Sequence, residues 1–69
     1  MKKETIISEL KRVVNGSNGR FTKGELTLSI RNGLLCITML MLGSVYMTHN
    51  ENELNLAELM KVFKYVTMN

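Results

Sequence analysis

The chain has no tryptophan and no proline, and only one cysteine and one histidine. A single cysteine, Cys36, excludes an internal disulfide, and with His49 alone beside it no structural zinc site can be assembled. Catalytic groupings are equally scarce. Nucleophilic and acid–base chemistry needs titratable groups within hydrogen-bond reach of one another. Cys36 sits in an apolar run, where a thiol behaves as a small hydrophobe, and His49 lies in a polar stretch with no assigned partner. The expectation is a non-enzyme with no catalytic residue, metal or cofactor. Without a staple, 69 residues are close to the lower limit for a self-sufficient core. Association is the remaining remedy, and a 45% hydrophobic composition suits it, so a homodimer is expected. The lone thiol fits a reducing compartment, hence a cytoplasmic protein.

Basic residues Lys2 and Lys3 are followed by no apolar stretch of signal-peptide length. The uncharged apolar part from Leu34 to Met47 spans fourteen residues and includes Thr38, Gly43 and Ser44. A spanning helix needs about 20 apolar residues, so this segment is expected to be core or interface and not a membrane span. The net charge of +3 is uneven: residues 1–35 hold seven cations against three carboxylates, and residues 36–69 hold two against three. Such a basic half can meet an acidic protein or nucleic acid.

One domain, 1–69, is expected, of α+β class. Lys3 to Val14 places Ile6, Ile7, Leu10, Val13 and Val14 on one helical arc, and Asn15-Gly16 supplies a stop through a left-handed glycine. Residues 15–24 then form a loop. Glu25 to Arg31 alternates, with Leu26, Leu28 and Ile30 on one side, as a half-buried strand does. Asn32-Gly33 predicts a two-residue type I′ hairpin turn, Leu34 to Leu42 the returning strand, and Ser44 to Thr48 a short third strand. After a polar loop from His49, Asn55 and Glu58 form a capping box for a second helix over Leu56 to Thr67. The predicted order is α-β-β-β-α, a three-stranded antiparallel meander packed by two helices. The competing assignment is all-α and helix-turn-helix-like, because Leu26, Ile30, Leu34 and Met41 also sit at helix-compatible spacings.

Three features are candidate sites. If both helices cover the face holding Leu28, Ile30, Leu35, Ile37 and Met39, the returning strand presents Leu34, Cys36, Leu40 and Leu42 to the other side, with Tyr46 beyond. Bulky apolar residues on an uncovered face mark an interface; one helix on each face would bury them within the monomer instead. Lys11, Arg12, Arg20, Lys23 and Arg31 are the candidate anion or nucleic-acid contacts, the glycine-rich loop 15–24 the candidate cradle, and Phe21 and Tyr46 the candidate stacking residues. Asn50, Glu51 and Glu53 match no calcium loop, and a solvated acidic loop ahead of a helix is the simpler account of them. The element order is similar to that of double-stranded RNA-binding domains. That family begins its last helix with lysines, whereas this chain has Asn52-Glu53-Leu54-Asn55-Leu56-Ala57-Glu58, so the likeness stops at topology. The functional expectation is a small regulatory or inhibitory protein acting on a host or cognate protein, of the kind carried by phages and mobile elements; the alternative is a nucleic-acid-binding module.

Overall fold

A computed structural model describes residues 2–39 and 47–68. It contains helix α1 (Lys3–Asn15), strands β1 (Arg20–Lys23), β2 (Leu26–Arg31), β3 (Leu34–Met39) and β4 (Met47–Asn50), and helix α2 (Leu56–Thr67). The strands form one antiparallel sheet in the order β1-β2-β3-β4. The α+β class and the meander are as expected, and the all-α arrangement is overturned, since residues 26–31 and 34–39 pair as strands.

The β2–β3 hairpin follows directly from its turn. Asn32 and Gly33 both take positive φ, 53° and 78°, the combination a type I′ turn requires. That turn fixes the register Arg31↔Leu34, Ile30↔Leu35 and Leu28↔Ile37. Because side chains alternate, Leu26, Leu28, Leu35, Ile37 and Met39 share one face, and all are buried. They join Ile6, Leu10 and Val14 of α1 and Leu59 and Val62 of α2 in one cluster. Both helices therefore lie on the same side of the sheet. Among the described residues, every buried sheet residue is on that side.

The sheet has one strand more than the three expected. Residues 20–23, assigned from sequence to a loop, form β1 and pair with β2 in the register Phe21↔Leu28 and Thr22↔Thr27. Four residues with one clearly apolar side chain give too short an alternation to read, and Lys23 occupies a core-facing position. Its ammonium lies 5.1 Å from the Tyr65 ring centroid and donates to the backbone carbonyls of Tyr65 and Met68 at the end of α2. A long aliphatic stem over an aromatic ring lets lysine do the work of an apolar residue, and its charge complements a helix C-terminus.

The helix ends differ from expectation in one respect. Gly16 is right-handed, not left-handed, with φ −73°. Its N–H donates to Arg12 O, and Ser17 N–H to Val14 O at the tighter i−3 spacing. The left-handed step falls two residues later, on Asn18 at φ 60°. At α2 the capping box is present as expected: Glu58 N–H donates to Asn55 Oδ1 at 2.9 Å, and Asn55 N–H to Glu58 Oε1 at 3.0 Å. Leu54, which the sequence placed in a polar loop, is buried beside Leu59 in the core and completes a hydrophobic staple around that cap. Asn55→Ala should cost about 1 kcal/mol, read as a lower urea midpoint at unchanged slope.

Strand β4 is Met47–Asn50, so His49 is in the sheet and not in a loop. The parts of the expected strands at 40–42 and 44–46 lie outside the described residues.

Candidate functional site: the open face of the sheet

With both helices on one side, the other side of the sheet has no covering element among the described residues. The registers place its side chains in rows across the strands. Thr22, Thr27, Thr38 and Thr48 stand opposite one another, one from each strand. The next row is Arg20, Ser29, Cys36 and Asn50. Arg31 and Leu34 form the third. Most of this face is polar, as a wet antiparallel face should be.

A shallow concavity lies on it, lined among others by Arg20, Thr27, Ser29, Arg31, Thr38 and Thr48. Both guanidiniums are on exposed residues. The described ion pairs are Lys11–Glu51 and Arg12–Glu9, and neither includes Arg20 or Arg31. None of the described paired strand positions on this face carries a carboxylate, and no carboxylate lines the concavity. Thr38 and Thr48 share a hydrogen bond of 2.7 Å between their hydroxyls. One of the two donates, which leaves the other's proton for a ligand. The concavity is a donor-rich, positively charged surface.

Of the five cations expected to contact an anion, the structure brings Arg20 and Arg31 together here. The others are elsewhere. Lys11 is held on α1 by Glu51 at 3.1 Å and by Gly33 O at 2.8 Å. Lys23 is committed to the end of α2. Arg12 is exposed on α1, 4.0 Å from Glu9. The glycine-rich loop is no phosphate cradle of its own, since residues 20–23 within it are sheet. Phe21 faces the helices and packs against the core, so it offers no stacking surface.

Of the five residues expected at an interface, Leu34 and Cys36 are on the open face, both half-buried. Leu40, Leu42 and Tyr46 lie outside the described residues. Within β3 the burial alternates without exception, so the apolar anomaly there reduces to Leu34. The threonine row was missed because two of its members, Thr22 and Thr48, are legible only once β1 and the position of β4 are known. Thr27↔Thr38 alone followed from the hairpin register.

Glu51 and Glu53 are not free acids. Glu51 Oε1 accepts from Leu35 N–H at 2.7 Å and Glu53 Oε1 from Asn50 N–H at 2.8 Å, closing the sheet end and the turn after it. Among the described residues no group of three or more His, Cys, Asp or Glu side chains converges. No helix there is long and apolar enough to cross a membrane.

No family model, no curated protein and no solved structure matches this chain.

Proposed function

We propose that the chain is a non-enzymatic regulatory or inhibitory binding protein that docks the open face of its sheet onto an acidic surface of another protein. One observation carries this reading. Two helices on one side leave a face bearing Arg20 and Arg31, with no carboxylate at the described strand positions to balance them. Charge complementarity selects the partner's sign and speeds encounter. A second copy of the chain is a poor occupant, because it brings the same two guanidiniums to the contact. Nucleic acid is supported less well: two of the five candidate cations are used internally, and Phe21 faces the core.

The test is an amide chemical-shift titration with an oligoglutamate peptide at low salt. Perturbations should concentrate on Thr22, Thr27, Ser29, Cys36 and Thr38. Arg20→Glu with Arg31→Glu should abolish them, at unchanged circular dichroism. Perturbations centred on Lys2, Lys3 and Arg12 instead would defeat the reading, as would binding that survives the double charge reversal.

A further inference from the structure

We infer that the concavity between Arg20 and Arg31 recognises a phosphoryl group on the partner protein, in the manner of a phosphopeptide-binding site. This rests on the binding reading above and deepens it. Two guanidiniums line the concavity, neither is in a described ion pair, and no carboxylate is among the residues that line it. A phosphoryl group carries a charge of about −1.5 to −2 at neutral pH. It therefore neutralises both arginines at once, whereas one carboxylate leaves one of them unbalanced.

The remaining lining supplies what a tetrahedral oxyanion needs. Guanidinium forks donate in pairs to phosphate oxygens. Ser29 stands opposite Arg20 across the β1–β2 pair, and Thr27, Thr38 and Thr48 form a row of hydroxyls beside it. The Thr38–Thr48 pair leaves one hydroxyl proton available. A nucleic-acid backbone would need a track of cations and stacking rings. Here the described face has two cations in one concavity and no aromatic side chain, which fits a single phosphoryl group on a peptide.

The experiment compares three short peptides that are uncharged except at one position, which carries phosphoserine, glutamate or serine. Binding is followed by amide shifts and by alkylation of Cys36 with N-ethylmaleimide, since Cys36 is the single cysteine and also lines the concavity. The phosphopeptide should bind at least tenfold more tightly than the glutamate peptide and slow Cys36 alkylation. Arg20→Gln and Arg31→Gln should each weaken it about tenfold, the loss expected for one charge-assisted contact.

Moving from about pH 7.5 to about pH 5.5 should weaken binding several-fold, because the second phosphate ionisation lies near pH 6. No histidine or carboxylate faces the concavity from any of the four strands among the described residues; the charged and titratable groups there are Arg20, Arg31 and Cys36. Followed by amide shifts, a pH response in this window therefore reports the ligand. Equal affinity for the glutamate and phosphoserine peptides overturns the inference while leaving acidic-partner docking intact. Binding of neither removes both. A single-stranded RNA oligomer that displaces the phosphopeptide and shows the steeper salt dependence overturns the peptide partner in favour of nucleic acid.

Discussion

Leu28→Ala should destabilise the chain by about 2–5 kcal/mol, enough to leave a large fraction unfolded at room temperature. Leu28 is fully buried on β2, between Phe21 and Ile37 on the neighbouring strands and beneath α1. Removing its side-chain methyls deletes the transfer term and leaves a cavity that surrounding strands cannot collapse into. A chain of 69 residues has about 3–10 kcal/mol in total at usual per-residue stabilities. Leu34→Ala is the matched control. Leu34 is half-buried on the opposite side of the same hairpin, where no helix covers it, and its loss should cost under about 1 kcal/mol. Urea denaturation of the two variants gives the answer. Similar midpoint shifts would mean that both faces of the sheet are covered, and that the binding face proposed above is occupied by the chain itself.

That contrast is also where sequence reading reached its limit. Asn32-Gly33 made the hairpin legible because only positive φ at both positions satisfies a type I′ turn, and the turn then dictates every pair beyond it. The same register separated Leu28 from Leu34. Which side the helices would take was not legible, since each amphipathic helix specifies the face it buries and not what it is buried against. β1 was hidden for a different reason. Its core-facing positions are Phe21 and Lys23, and the lysine is explained only by Tyr65 and the carbonyls of a helix end more than forty residues away. The candidate site suffered in consequence. Without β1, Arg20 belongs to a loop beside Lys23; with it, Arg20 turns to the open face and Lys23 to the helices, so one cation enters the site and the other leaves it.

Glu51 was read as a solvated acid, and its replacement should have the next largest effect. Glu51→Ala is expected to cost about 1–3 kcal/mol, the usual penalty for leaving a buried donor unpaired. The strand ladder explains why. One step beyond the terminal β3–β4 pair, Cys36↔Asn50, Glu51 N–H donates to Leu35 O at 2.8 Å, and the return bond from Leu35 N–H goes to the Glu51 carboxylate at 2.7 Å. The side chain thus replaces the backbone carbonyl that the turn carries away. The same oxygen meets Lys11, which also donates to Gly33 O, so one carboxylate ties α1, the hairpin turn and the sheet end together. Glu51→Gln separates the two roles. Its amide oxygen can still accept from Leu35, while the ion pair, partly exposed on the lysine side, is lost at a cost of about 0.2–1 kcal/mol. The Leu35 amide should exchange faster with solvent in Glu51→Ala and keep its protection in Glu51→Gln. Equal destabilisation by both variants, erased by high salt, would assign the effect to the Lys11 pair and not to the ladder.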